Sequence, residues 1–223
     1  MVAHLDALRT FRVIAHRRNE RPIADRLTSV TNRAALTDIE GMTNPRVQQE
    51  YAARKKIRPE DLTGGDGNEM VIAAFTYSGA SRFTDGTYGV YYASPEFSTA
   101  VAESAFHTER FLSYTDTRSV TVFKRVLTAR IGGSYDDIRS TPADDPVYDP
   151  DPQRYAVAQA YGLRIYADEG DGIVYRSVRA SGGTCVAAFR PRLISGCNTD
   201  GFLAYTYSGK RIDDMFRISP LMF

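Results

Sequence analysis

Tryptophan is absent from the 223 residues, and cysteine and histidine number only two and three. Each shortage closes off a class of protein. Cys185 in an apolar run and Cys197 in a loop-like one do not make a disulfide framework, so both are expected as buried, idle thiols. His4, His16 and His107 are scattered, and no His, Cys or Asp spacing resembles a metal site, so no metal is expected. No stretch approaches the roughly 18 apolar residues that a membrane span needs. The segment from Met1 to Arg12 carries no apolar core and no small-residue cleavage site, which makes the cytoplasm the expected compartment. Glycine fingerprints are missing too. Gly64-Gly65-Asp66-Gly67 and Gly182-Gly183 match neither the phosphate loop nor the dinucleotide turn, which disfavours a P-loop enzyme or a Rossmann dehydrogenase. Internal repeats and low-complexity tracts are likewise absent.

What is present is the composition of an ordinary folded domain, 43% hydrophobic and 25% charged, in a chain long enough to bury a core of its own. The net charge of +1 hides an asymmetry. Residues 1–58 hold 12 Lys and Arg against 6 Asp and Glu, whereas the remainder is net acidic by five charges. Those arginines alternate with apolar residues rather than cluster, which favours a solvated face or an acidic protein partner over nucleic acid.

Along the chain, Phe11 to Ile14 reads as a short strand with Arg12 inside it, and the intermittent spacing from Ile23 to Leu36 predicts helical turns before the breaker Asn44-Pro45. Tyr51 to Leu62 is strongly charged, and residues 64–68 read as a flexible loop. Met70 to Phe75 is a continuous apolar run, read as a buried strand, and Thr87 to Ala93 is a second strand rich in tyrosine. Ser94-Pro95-Glu96 opens a helix whose inward stripe is Phe97, Ala100, Val101 and Ser104, with Glu103 and His107 on its flank. Val120 to Ile131 is a long strand closed by Gly132-Gly133, and the aspartate- and proline-rich span 136–151 is a surface loop. A helix from Pro152 to Tyr166, strands at residues 173–175 and 184–189, and a closing hairpin from Leu203 complete the order. Strands and helices without regular βαβ alternation predict a single α+β domain with a mixed, mainly antiparallel central sheet flanked by helices.

One stretch concentrates chemistry. Within Ser81 to His107 an arginine on a turn, Arg82, is followed by a tyrosine-rich strand and by a carboxylate on a helix, Glu103. Taken singly, Arg82 reads as a surface arginine, the tyrosines as strand packing and Glu103 as a half-exposed glutamate paired with His107. Taken together, they can hold an anionic ligand bearing a ring, with one carboxylate to oppose positive charge on a reacting carbon. Alternation places Tyr88 and Tyr92 on one face and Tyr91 on the other. Ser177 has no Gly-x-Ser-x-Gly elbow around it, which makes it a hydrogen-bonding residue rather than a nucleophile.

Arg82, Tyr92, Glu103 and Ser177, the last within Asp171-Gly172-Ile173-Val174-Tyr175-Arg176-Ser177-Val178-Arg179, resemble in order and spacing the signature of the RES domain family. The similarity runs from about Val71 to Tyr207, which sets a core of 71–207 within a single domain of 1–223 and leaves 1–62 as a basic, partly helical segment. Phe11-Arg12-Val13-Ile14 looks like the family's N-terminal aromatic-arginine strand, and Thr43-Asn44-Pro45-Arg46 resembles a segment of one of its branches. Ala80-Ser81-Arg82-Phe83-Thr84 departs from the Gly-Gly-Arg-Trp-Asn of many members.

The resemblance implies an ADP-ribosyltransferase-like fold and the toxin of a bacterial toxin–antitoxin pair, which consumes NAD as substrate and needs no cofactor. Its partner would be an Xre-type helix-turn-helix antitoxin, in an oligomeric complex that meets DNA only through that antitoxin. Arg12 and Arg82 would hold the phosphates, Tyr92 would border the nicotinamide, and Glu103 would be the catalytic carboxylate, with Arg82 and Tyr92 beside it. Ser177 would orient the nicotinamide carboxamide or the adjoining ribose. Transfer of ADP-ribose to a protein is the rival activity, and a non-catalytic nucleic-acid module using the basic N-terminal third is the rival of another class.

Overall fold

The longest strand holds the sheet together. In the computed structural model, which describes residues 1–16, 57, 61, 67–76 and 79–218, β3 (Val120–Asp137) pairs through Lys124 to Asp136 with β1 (Val2–Ala15) from end to end of β1. On its other side it pairs with β6 (Ile194–Tyr207) and then, over its last two residues, with β4 (Gly172–Arg176). β4 pairs with β5 (Thr184–Ala188), β5 with the three-residue β2 (Tyr91–Ala93), and β6 with β7 (Ile212–Ile218). Only β3 and β4 run parallel. A reciprocal pair of backbone hydrogen bonds between Phe11 and Ser94, 2.7 and 3.0 Å, ties β1 to the end of β2. The sheet therefore curls back on itself through β1, β3, β4, β5 and β2.

Three helices among the described residues pack on this sheet. α1 (Asn68–Thr76) covers a core of Tyr91, Leu127, Ile131, Tyr135, Val174 and Val186. The opposite face carries two further clusters. α3 (Ala156–Ala167) sits over Phe83, Tyr148, Ile173, Tyr175 and Phe189, and α2 (Phe97–Ser113) lies over Val126, Leu203 and Tyr205. Alternate residues of one strand feed opposite faces. Tyr91 and Val186 point toward α1, whereas Tyr92, Cys185 and Tyr175 point toward α2 and α3. The expected α+β domain with a mixed, mainly antiparallel sheet is what the chain forms, and no helix among the described residues is long and apolar enough to cross a membrane.

Local readings changed in several places. The run from Met70 to Phe75, read as a strand, is helix α1. Its buried residues Val71, Ile72, Phe75 and Thr76 recur at helical spacing, and a short apolar run of this kind does not distinguish the two forms. Thr87 to Val90 form a bend rather than a strand, with Tyr88 stacked on Tyr166 at 4.0 Å. The short strand expected at Phe11 to Ile14 extends from Val2 to Ala15, so these residues belong to the sheet instead of to an outlying basic segment. Gly132-Gly133 does not close β3, because Gly133 takes φ +118° and the strand runs on to Asp137. The acidic span beyond it is anchored rather than loose, with Ile138, Val147 and Tyr148 buried and the Tyr148 hydroxyl donating to the Ile138 carbonyl. The helical turns expected at Ile23 to Leu36, the charged Tyr51 to Leu62 stretch apart from residues 57 and 61, most of the loop at 64–68 and the segment Thr43 to Arg46 lie outside the described residues.

Gly162 sets how closely α3 approaches the turn that carries Arg82. A Cβ there would sit 2.2 Å from the Phe83 carbonyl oxygen, a backbone atom with no room to retreat. Gly162→Ala is expected to lower stability by about 1–3 kcal/mol in chemical denaturation. Gly79→Ala, which meets nothing within 4 Å, is the control and should leave the midpoint in place.

Candidate active site

The site begins with the helix that sequence spacing expects. It starts at Phe97 with Glu96 at its N-cap, two residues later than the expected cap at Ser94, because Ser94 spends its hydroxyl on Glu96 rather than on the first helical turn. Ser94 accepts the Glu96 N–H and donates to the Glu96 carboxylate, and Glu96 also accepts the Thr184 N–H, so the start of α2 is fastened to β5. α2 can lie this low because Gly183 faces Thr99, where a Cβ would come within 2.3 Å of the threonine hydroxyl. From this start one face of α2, Ala100, Glu103, Ser104, His107, Thr108, Phe111 and Leu112, lines a cleft of ≈ 530 Å³. Glu103 is on that inward face rather than on its flank, with His107 one turn further along it.

The opposite wall comes from the sheet and from the Arg82 turn. Arg12, Arg82, Tyr92, Tyr155, Tyr175 and Cys185 meet Glu103 across the cleft. The structure thus brings Arg12, Arg82, Tyr92 and Glu103 to one cavity and turns Tyr91 away from it. Ser177 stands behind Glu103 and not in the lining. Its hydroxyl accepts the N–H groups of Arg179 (3.0 Å) and Ala180 (2.9 Å) and donates its proton to Glu103 Oε1 at 2.6 Å. With its donor committed to Glu103, this serine reaches a ligand only through the carboxylate it positions.

Each remaining group has a definite anchor. Arg82, only 6% exposed, donates to the Val147 carbonyl (3.0 Å) and the Tyr155 hydroxyl (3.1 Å), with its guanidinium over the Tyr155 ring. Arg12 donates to the Tyr92 carbonyl (3.0 Å) and lies over the Tyr91 ring, and burial lowers its pKa. A guanidinium has five N–H donors, and each of these arginines spends only part of them on the contacts just named. Neither has a carboxylate partner among the described residues, and none is provided for Lys124, which also lines the cleft. Tyr92 braces the turn, because its hydroxyl accepts the Phe83 N–H (3.0 Å) and shares a hydrogen bond with Ser81 (2.9 Å). Burial pushes its pKa up to about 12. Burial also raises Tyr175 and Cys185, and the nearby Glu103 charge adds to both shifts. Tyr92, Tyr175 and Cys185 therefore contribute neutral hydroxyls and a neutral thiol to the cleft, the thiol Sγ being 3.8 Å from Oε1.

Sequence reasoning missed Tyr155, Tyr175, Cys185 and Lys124. The first three sit in apolar stripes that look like any core. Lys124 did leave a signal, since it falls between Val122 and Val126 on the inward register of β3. Among the described residues no cluster of three or more His, Cys, Asp or Glu could hold a metal ion.

Comparison with known proteins adds two findings. Residues 58–207, well over half of the chain, match the RES domain family. The chain is also 25% identical over 212 residues to the "Uncharacterized protein y4oC" of Sinorhizobium fredii, an alignment covering 92% of this chain and 86% of that protein.

The two adjacent tyrosines give a direct check on this geometry. The Tyr91 hydroxyl has no nitrogen or oxygen partner and meets only the Cys197 thiol, whereas Tyr92 satisfies a backbone N–H. Tyr92→Phe is expected to destabilise the fold by about 1–2 kcal/mol in urea titration, because the Phe83 N–H loses its acceptor, while Tyr91→Phe changes little.

Proposed function

The chain belongs to the RES domain family, and on that premise we propose that it is an enzyme that consumes NAD by breaking the bond between nicotinamide and ribose. The observation that carries this reading is the charge pattern of the cleft. One carboxylate, Glu103, is fixed by the Ser177 hydroxyl, and the unpaired charges opposite it are cations. NAD offers the complement: a pyrophosphate for Arg12 and Arg82, whose forked donors suit phosphate oxygens, and a sugar carbon that becomes positive as its bond to the ring nitrogen breaks.

In this reading Glu103 lies beside the ribose carbon. The carbon–nitrogen bond breaks, its electron pair stays on the ring nitrogen, and nicotinamide leaves as a neutral molecule. The oxocarbenium-like centre left behind is stabilised by the carboxylate more than the ground state is, which is the condition for acceleration. Water adds to that carbon and loses a proton, giving ADP-ribose. Phosphate as acceptor gives the ADP-ribose 1-phosphate ester instead. Tyr92 borders the nicotinamide end while holding the Arg82 turn, and Ser177 is a positioning residue that keeps Glu103 aimed inward. The biological setting we infer is that of a toxin, restrained by an Xre-type helix-turn-helix antitoxin that covers the cleft.

Purified protein incubated with NAD should release nicotinamide. Glu103→Gln is expected to slow that release by about 10²–10³-fold, the scale of losing one preorganised electrostatic contact. Ser177→Ala should lower kcat with little change in KM. No turnover by the wild type, or equal turnover by Glu103→Gln, overturns the proposal. NAD labelled in its adenosine half decides the acceptor, because transfer leaves label on protein whereas hydrolysis or phosphorolysis leaves it in solution.

A further inference from the structure

Lys124 is the unexplained group in this cleft. It stands on β3 opposite Ala15 of β1 and Leu203 of β6, neighbours that offer no charge. Only 9% of its surface is exposed, and its ammonium makes no hydrogen bond and no ion pair among the described residues. Its nearest compensation is the face of the Tyr205 ring, 5.7 Å away, and burial lowers its pKa. The nitrogen is not itself among the fully enclosed polar atoms that lack a partner, so the mostly buried stem carries its charge to the cleft, where a hydrophobic side chain of similar volume would suit an apolar wall better. A lysine in this position therefore calls for an anion that arrives from outside.

The cleft supplies the route. It continues past Glu103 between the sheet residues Val13, Ala15 and Val122 and the helix residues Thr108, Phe111 and Leu112. Glu103 and Leu112 are nine residues apart on α2, about 13 Å at the helical rise. Along β1, Ala15 lies four residues beyond Phe11, where the Ser94 bridge marks the Tyr92 end, again about 13 Å at the strand rise. Both walls thus run the same distance away from the reacting end. Phe111 lines this far part and is nonetheless 68% exposed, which leaves an aromatic face open to a flat ring.

Resting on the reading of the cleft as an NAD site, we infer that Lys124 anchors the adenosine half of the substrate, its ammonium binding a phosphate there while the base lies against Phe111. Two phosphates of that half share this chemistry, the adenosine-side phosphate of the pyrophosphate and the additional 2′-phosphate of NADP. Lys124 is then a specificity-determining residue with no part in bond cleavage.

Calorimetric titration of wild type, Lys124→Met and Lys124→Arg with ADP-ribose, its 2′-phosphorylated form and nicotinamide mononucleotide tests this. Lys124→Met should weaken ADP-ribose, or selectively its 2′-phosphorylated form, at least about tenfold, the scale of one charge-assisted contact. Nicotinamide mononucleotide should bind as before, and Lys124→Arg should recover part of the loss. Equal loss for both adenosine ligands assigns the pyrophosphate, and loss confined to the 2′-phosphorylated one assigns the 2′-phosphate. The thermal midpoint of Lys124→Met should stay level or rise, because a partly desolvated charge without an ion pair has been replaced by an apolar side chain of similar volume. Unchanged binding of both adenosine ligands, an equal loss for nicotinamide mononucleotide, or a fall in the midpoint overturns the inference and leaves the NAD reading standing. A wild type that binds none of the three ligands overturns both.

Discussion

The hydrogen bond from Ser177 to Glu103 is the contact on which the rest of the site depends. It joins α2 to the connection between β4 and β5, two pieces of chain 74 residues apart in sequence. The serine is itself held, since the turn that follows it gives it two backbone N–H groups to accept. Glu103 therefore faces the cleft in one orientation with no other acid beside it in the lining. Burial keeps Tyr92, Tyr175 and Cys185 in their neutral forms, and the cleft's charge pattern is one fixed carboxylate facing separate cations.

The cations of the site come from three different elements of the fold. Arg12 comes from β1, Arg82 from the turn pinned by α3 and Tyr92, and Lys124 from β3. The fold holds each by a separate carbonyl, hydroxyl or ring. All three residues line the cavity. A dianionic pyrophosphate is the group that would relieve them together, and the apolar extension toward Phe111 suits the nucleoside attached to it.

Much of this was legible in the sequence, for identifiable reasons. α2 is readable to within two residues because Ser94, Pro95 and the apolar stripe agree on its approach and inward face, and the class of fold because the order of strands and helices excludes regular crossovers. Arg12, Arg82, Tyr92 and Glu103, which the sequence pattern singles out, all line one cavity. What failed was local or long-range. α1 was taken for a strand because six apolar residues carry too little periodicity, and β3 was cut short because two glycines inside a bulged strand look like a stop. Ser177 was assigned to the ligand because nothing in one dimension reveals that its proton goes to a residue on a distant helix. Lys124 was passed over although its register placed it among inward-facing valines.

The most direct test of the account is a crystal structure of the Glu103→Gln protein with NAD bound. It should place the nicotinamide ribose carbon against the substituted side chain, the pyrophosphate against Arg12 and Arg82, and the adenine beside Phe111. A pyrophosphate seated at position 103, or a dinucleotide bound outside this cleft, would contradict it.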